Sequence, residues 1–342
     1  MEAIILAGGY GTRLRPLTYT RAKSLLPILN RPMVSYLLES LPSEISKVIL
    51  AVNYRKDQIE EYLHSQNYGR EIIVNDEPHP LGTGGAVKFA ERHISGPFFV
   101  LNADIICSID LSRMIDFHKK HNAAATISLW PVENVTEFGV VDIKKDGNVI
   151  GFVEKPKPEE APSDLINAGA YFLQPEILDY IDTGRLVSME KEIFPQIIQD
   201  NGQFYGYQFH GFWIDVGRLQ SYINVHLLLM KQQHTPQIIG LNTTNKGTLI
   251  DTCVGNNVNI GRNTNIQKSI ILDNTKIGSE SKLFNCIIGA GCSLGDSVSL
   301  KDVVVGDIEH IDSSTTLEKT MIWTKPIPMG YPQKQIGNVI GE

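Results

Sequence analysis

Aliphatic residues return every 17 positions through the last third of this chain. One series is Val254, Ile271, Ile288, Val305 and Ile322; a second is Ile260, Ile277, Leu294 and Ile311; a third is Leu249, Ile266, Leu283, Leu300 and Leu317. Glycines follow aliphatics at Val254-Gly255, Ile260-Gly261, Ile277-Gly278, Ile288-Gly289, Leu294-Gly295 and Val305-Gly306. A strict period of six slips by one per unit, whereas 17 holds throughout. Each unit therefore reads as one triangular coil with three short faces, each sending one aliphatic inward. Stacked coils of this kind make a left-handed parallel β-helix of hexapeptide-type repeats, beginning near residue 249 after a polar link at Lys231–Lys246. Its end coils would expose apolar faces and unpaired backbone unless capped. The solenoid is therefore expected to drive self-association into a homo-oligomer and to take no part in catalysis.

The first two-thirds has a different rhythm. Short apolar strands at 3–7, 47–52, 71–74 and 98–101 alternate with amphipathic helices at 32–41, 55–65 and 85–94. Such β-α-β alternation predicts a Rossmann-like, mixed but mostly parallel sheet covered by helices, with ligands gathered at the carboxyl ends of the strands. The expected division is a catalytic domain over 1–235 and a β-helix domain with its tail over 236–342.

Charge and hydropathy remove several functions. The formal net charge is −7 with no long basic run, which argues against a nucleic-acid partner. No run approaches the roughly 18 apolar residues of a membrane span. Met1 leads almost directly into a strand-like run, with no basic start or long apolar stretch of a secretion signal, so a cytoplasmic location is expected. Cys107, Cys253, Cys286 and Cys292 form no CxxC pair and read as reduced packing thiols.

The chemistry is concentrated just after the first strand. Residues 8–23 read Gly-Gly-Tyr-Gly-Thr-Arg-Leu-Arg-Pro-Leu-Thr-Tyr-Thr-Arg-Ala-Lys. Gly8, Gly9 and Gly11 let backbone N–H groups approach phosphate oxygens, and Arg13, Arg15 and Lys23 follow within reach. A triphosphate needs this combination, because its anionic oxygens must be held and neutralised before a second anion can attack. The spacing is neither G-x-G-x-x-G nor a Walker A loop, and on its own a glycine-rich turn with solvated charges would account for it.

This stretch resembles the signature G-G-x-G-T-R-L-x-P-L-T-x-x-x-P-K-P of sugar-1-phosphate nucleotidyltransferases. The resemblance continues in order through Leu81-Gly82-Thr83-Gly84-Gly85, Leu101-Asn102-Ala103-Asp104, Phe138-Gly139-Val140-Val141, Val153-Glu154-Lys155-Pro156, Asn167-Ala168-Gly169 and Phe212-Trp213-Ile214-Asp215-Val216-Gly217. Wording at Pro97–Asn102, Ser188–Pro195 and Gly211–Trp213 is most similar to the mannose-1-phosphate guanylyltransferase branch. One departure is local: the family's P-K-P is here Ala22-Lys23-Ser24, which keeps the charge but removes the rigidity of two prolines.

The resemblance implies a nucleoside triphosphate and a sugar 1-phosphate as substrates, with GTP and mannose 1-phosphate the best match, and a nucleotide sugar and pyrophosphate as products. Arg13 and Lys23 would be catalytic. Leu6, Ala7, Gly8, Gly9, Gly11, Thr12, Glu77, Gly82 and Thr83 would hold the nucleotide. Asp104 and Asp215 each stand at an apolar strand end; from sequence alone they cap a turn or hold a metal equally well, and the family assigns them Mg²⁺. Glu154 would take sugar hydroxyls and Lys155 the sugar phosphate, with Gly139 and Asn167 lining the same pocket. Guanine offers two adjacent donors that one carboxylate can accept together, and where relatives that use uracil or thymine tend to carry Gln this chain has the adjacent acids Asp76-Glu77, of which Glu77 is the expected reader. The competing expectations are a glucose-1-phosphate thymidylyl- or uridylyltransferase and a non-catalytic sugar-nucleotide-binding regulator. An acyltransferase built on the solenoid would have only His310 to serve it.

Overall fold

The structure is a computed structural model, and it describes residues 1–327. The chain divides into two compact units, one of Met1–Gly9 with Tyr36–Trp213 and the other of Tyr10–Ser35 with Ile214 onward.

In the first unit, β1 (Glu2–Leu6) lies between β2 (Lys47–Val52) and β4 (Phe98–Asn102), with β3 (Glu71–Asp76) beyond β2. All three pairings are parallel. Ala3, Ile4 and Ile5 are fully buried, as expected of a central parallel strand covered on both faces. Helices α1 (Met33–Ser40), α2 (Lys56–His64) and α3 (Gly82–Phe89) are the predicted crossovers. The sheet then turns mixed. After α4 (Leu111–Lys120) come β5 (Ala125–Pro131), β6 (Gly139–Ile143), β7 (Val149–Glu154) and β8 (Leu165–Leu173). Strand β8 joins β4, β5 and β6 antiparallel. Helix α5 (Phe194–Gln199) precedes β9 (Phe204–Gln208), which pairs with β5 in parallel.

Helix α3 begins three residues before the predicted segment at 85. The amides of Gly84 and Gly85 both donate to Val187 O, at 2.9 and 3.2 Å. A carbonyl from a distant segment thus satisfies two of the unpaired N–H groups at the helix start, and the glycine run winds into helix.

The second unit is dominated by the solenoid, and the 17-residue series are its rungs. Val254 pairs with Ile271, Ile271 with Ile288, Ile288 with Val305 and Val305 with Ile322. The Ile260 and Leu249 series stack in the same way. These residues make a single buried cluster, with Leu317 and Ile322 at its margin. The corners repeat too: Asp251, Lys268, Asn285, Asp302 and Lys319 all have positive φ. The arrangement is that of the left-handed parallel β-helix expected.

Its start differs from expectation. Gln237 already pairs with Thr252, and Thr244 with Asn259, so the first coil lies within the segment read as a linker. That coil is two residues short of 17 and places Asn245 against Ile260. It breaks both the period and the aliphatic series, which hid it. Only residues 233–236 separate it from helix α6 (Leu219–Gln232). The four cysteines are free thiols. Burial pushes Cys253 and Cys286 up to about 12 and Cys292 to about 11, as suits packing residues.

His118, on α4, is a core residue. Its Nδ1 lies 2.8 Å from Thr126 Oγ1, and the Gln174 amide nitrogen donates to its Nε2 at 3.0 Å. Burial lowers its pKa to about 4. The folded state therefore resists a proton that the unfolded chain accepts near pH 6.5. Stability from this site is intact above about pH 6.5 and falls as pH drops toward 4, by up to about 3 kcal/mol. Denaturation measured from pH 7.5 to 4.5 is expected to show a slope that His118→Gln reduces; identical slopes would rule out this origin.

Candidate functional site

The carboxyl ends of β1, β2, β3 and β4 lie along one edge of the first unit's sheet, because the four strands run parallel. Leu6 ends β1, and Ala7 extends it by donating its N–H to Ala51 O at 2.9 Å. Gly8 follows, packed on Asn53 just past β2: a Cβ there would lie 3.4 Å from Asn53 Cγ. Asn53 Oδ1 is buried with no hydrogen-bond partner among the described residues. Sequence reading missed Asn53, since an asparagine after a strand is an ordinary turn signal.

Past β3 the chain separates two neighbouring acids. Asp76 is exposed and pairs with Lys56 at 3.4 Å. Glu77 turns inward and is 7% exposed, with its N–H bonded to Val52 O at 2.7 Å. Glu77 Oε2 accepts the Leu81 amide at 3.3 Å. Burial raises the pKa of its carboxyl above the ordinary range. Glu77 is thus an inward carboxylate beside the start of α3, where Gly82 and Thr83 begin the helix. The Thr83 hydroxyl is engaged within the protein: it donates to Glu190 Oε2 at 2.7 Å and accepts the Met189 amide at 2.9 Å.

The four expected sugar-binding residues fall on adjacent strands. Gly139 starts β6 opposite Glu154 at the end of β7. A Cβ at Gly139 would lie 2.9 Å from Glu154 Oε2 and overlap the Phe152 ring, so only glycine leaves that carboxylate its place. Lys155 has φ +51 and an ammonium 3.4 Å from Glu154 Oε1. Asn167 sits where β8 bulges. Its Oδ1 accepts the Gly169 amide at 3.0 Å, and its Nδ2 donates to the Tyr171 hydroxyl at 2.8 Å. That hydroxyl donates in turn to Glu190 Oε1 at 3.2 Å. Glu190 therefore ties Thr83 to Tyr171 and Asn167. It lies in the Ser188–Pro195 segment, whose wording was legible in the sequence while its role was not. Burial first, and the Glu190 charge second, push the Tyr171 hydroxyl well above its ordinary pKa, so it stays protonated.

The second unit holds Gly11, Thr12, Arg13, Lys23 and Asp215. Gly11 has φ +62, and its carbonyl accepts Thr18 Oγ1 at 2.8 Å. A Cβ there would lie 2.8 Å from Thr18 Cγ2 and 3.2 Å from Lys23 Cβ, so the missing side chain lets Lys23 approach the loop backbone. Thr12 opens a single helical turn that carries the exposed Arg13. Arg13 and Asp215 converge on Gly217: a Cβ on that glycine would be 2.8 Å from both Arg13 Nη2 and Asp215 Oδ1. Arg15, grouped with these cations in the sequence, is 3% exposed and lies over the Tyr19 ring at 5.1 Å. It braces the loop from beneath and presents no charge to solvent.

Asp104 stands in the turn after β4 in the first unit, and Asp215 ends the short strand Trp213–Asp215; both are half-buried. Among the described residues no three His, Cys, Asp or Glu side chains gather as a metal cage. Single half-buried carboxylates fit a hard divalent cation that takes its other ligands from phosphates and water. No helix among the described residues is long and apolar enough to cross a membrane.

Known proteins are similar to most of this chain. The family profile described as nucleotidyl transferase matches residues 2–232, and one described as the GMPPB C-terminal domain matches residues 243–336. The catalytic subunit beta of mannose-1-phosphate guanylyltransferase from Drosophila melanogaster is 34% identical over 369 aligned positions, covering 98% of this chain and 96% of that protein. The mannose-1-phosphate guanyltransferase of Saccharomyces cerevisiae is 40% identical over 238 positions, covering 67% of this chain and 65% of that protein. Among solved structures, HddC from Yersinia pseudotuberculosis complexed with GMP-PN matches with a TM-score of 0.56 and 28% identity, over 67% of this chain and 99% of that one. Nucleotidyltransferases of this kind use a divalent metal. With a family profile spanning most of its length and relatives aligned nearly end to end, the chain belongs to the nucleotidyl transferase family and is a sugar-1-phosphate nucleotidyltransferase.

Proposed function

We propose that this enzyme makes GDP-mannose and pyrophosphate from GTP and mannose 1-phosphate, with residues 1–235 as its catalytic domain and 236–342 as its β-helix domain. The observation that carries the choice of base is the inward carboxylate of Glu77 at the end of β3. Ionised, it can accept both N1–H and N2–H₂ of guanine; uracil and thymine offer one donor flanked by acceptors and would leave it mismatched. Relatives named for guanylyl transfer to mannose 1-phosphate support the same substrates.

In this reading a phosphate oxygen of the sugar 1-phosphate attacks the α-phosphorus of GTP in line. The bond to the bridging oxygen of pyrophosphate breaks, and pyrophosphate departs with that electron pair. The nucleophile is already anionic, so no side chain needs to remove a proton. The protein's contribution is positioning and charge neutralisation. Backbone from Leu6, Ala7, Gly8, Gly9, Gly11 and Thr12 lies along the nucleotide, Gly82 and Thr83 approach the base, and Arg13 and Lys23 neutralise the triphosphate. Glu154 accepts sugar hydroxyls, Lys155 holds the sugar phosphate, and Gly139 and Asn167 shape the pocket. Asp104 and Asp215 hold the metal, which we assign as Mg²⁺ and which would neutralise phosphate charge. The enzyme works in the cytoplasm as a homo-oligomer.

Four measurements test this. Asp104→Asn and Asp215→Asn are each expected to lower kcat by about 10²-fold or more, and chelation should abolish turnover; unimpaired kcat in both at saturating Mg²⁺ would remove the metal assignment. Arg13→Ala and Lys23→Ala should damage kcat/KM while shifting stability by under about 0.5 kcal/mol. A large fall in Tm with normal kcat/KM would make these charges structural. Glu77→Gln should erode the preference for GTP over UTP and dTTP by about 5- to 150-fold. Because the Glu77 pKa is raised and its ionised form is the reader, the wild-type KM for GTP should climb as pH falls, starting above the ordinary carboxylate range. A wild-type enzyme that prefers dTTP or UTP would make the thymidylyl or uridylyl reading correct.

A further inference from the structure

Within the second unit the signature loop does not stand alone. Asp307, in the solenoid, is 4% exposed, and its two carboxylate oxygens do different things. Oδ1 accepts the Ala290 amide at 2.7 Å. The same position serves the preceding coil at two other rungs, where Asn256 Oδ1 takes the Leu241 amide at 2.8 Å and Asp273 Oδ1 the Asn256 amide at 2.8 Å, whereas Ala290 at this position has no side-chain oxygen to offer. In Asp273 the second oxygen stays within the solenoid, 3.4 Å from Asn256 Nδ2. In Asp307 it is turned to the loop, where Oδ2 accepts Thr20 Oγ1 at 2.5 Å and Arg21 Nη2 at 2.6 Å. Nearby, Trp323 packs on Tyr19 with ring centroids 5.0 Å apart. Three consecutive loop residues, 19, 20 and 21, are thus seated on the last coils, two positions ahead of Lys23.

We propose that Asp307 is a positioning residue for nucleotidyl transfer, holding through Thr20 and Arg21 the backbone that presents Lys23. This rests on the reading of Lys23 as the cation that neutralises the triphosphate. Where the family signature has a proline on each side of that lysine, this chain has Ala22 and Ser24, so φ on either side of Lys23 is not locked by a ring. The rigidity comes from a buried, charge-assisted pair of hydrogen bonds. The solenoid, expected to be catalytically silent, is by this assignment part of the machinery that orients a reacting group.

The test uses the full-length chain with steady-state kcat, KM for each substrate and Tm. Asp307→Asn keeps an oxygen for the Ala290 amide but sets an amide group against the Arg21 guanidinium. It is expected to lower kcat about 10- to 100-fold, the scale of a slightly misplaced catalytic group, with KM for the sugar phosphate little changed. Asp273→Asn, at the equivalent coil position with no loop contact, should match its Tm and leave kcat intact. Thr20→Val and Arg21→Met should each lower kcat, and Asp307→Asn combined with Arg21→Met should lose no more than Asp307→Asn alone, since both cut one interaction. These two loop variants carry the test if Asp307→Asn does not fold. Unchanged kcat in the loop variants or in Asp307→Asn, strictly additive losses, or an equal kcat loss in Asp273→Asn would overturn the proposal. Lys23→Ala separates it from its parent reading. An inactive Lys23→Ala beside a fully active Asp307→Asn sinks this inference alone; a fully active Lys23→Ala sinks both.

Discussion

Backbone pairing on both sides of β1 is the constraint from which the first unit follows. Glu2–Leu6 is in register with residues 47–51 on one side and 98–102 on the other. A strand so placed has no free edge and no polar face, so its interior residues Ala3, Ile4 and Ile5 are apolar and fully buried. Parallel neighbours also end where it ends. The glycines after Leu6, Asn53 after β2, Glu77 after β3 and Asp104 after β4 are therefore delivered to one edge of the sheet. Chemistry gathers there because backbone geometry leaves nowhere else for the connecting loops to begin.

The site residues are held by satisfaction of buried polar groups more than by contact with each other. Glu190 illustrates this. Its two oxygens receive Thr83, Ser188 and Tyr171, and Tyr171 in turn receives Asn167. The chain of bonds runs from the first turn of α3 to the bulge in β8, linking segments expected to meet different substrates. An unpaired carboxylate in that position would be costly, so the network specifies one arrangement.

The solenoid solves a different problem with repetition. Each coil places its aliphatics directly above those of the coil before it, and each corner adopts the left-handed conformation that short turns require. Asparagine tolerates that conformation at Asn257, Asn263, Asn274 and Asn285 because its side chain can bond locally. Where the repeat reaches residues 306–307, its regular features meet the signature loop: Gly306 packs beneath Trp323 and Pro16, and Asp307 turns one oxygen outward. The repeat thus supplies a rigid surface on which an irregular loop can be fixed.

Sequence alone determined what is local or periodic. Strand and helix types in the first two-thirds follow from apolar spacing, the coils from a period of 17 residues, and the glycine loop with its cations from a contiguous run. These signals are legible because one element or one repeat contains all the residues that produce them. Tertiary structure decided the rest. The first coil at Gln237 was hidden because it is two residues short and lacks its aliphatic. The start of α3 depended on a carbonyl at Val187, about a hundred residues away. Arg15 stands beside Arg13 and Lys23 as a loop cation in the sequence, yet packing on Tyr19 buries it while Arg13 is exposed. Asp76 and Glu77 are likewise adjacent acids until the end of a strand sends one outward and one inward. Spacing along a chain reports which residues share an element; it carries no record of which distant group will satisfy a buried charge, and only the folded arrangement supplies that partner.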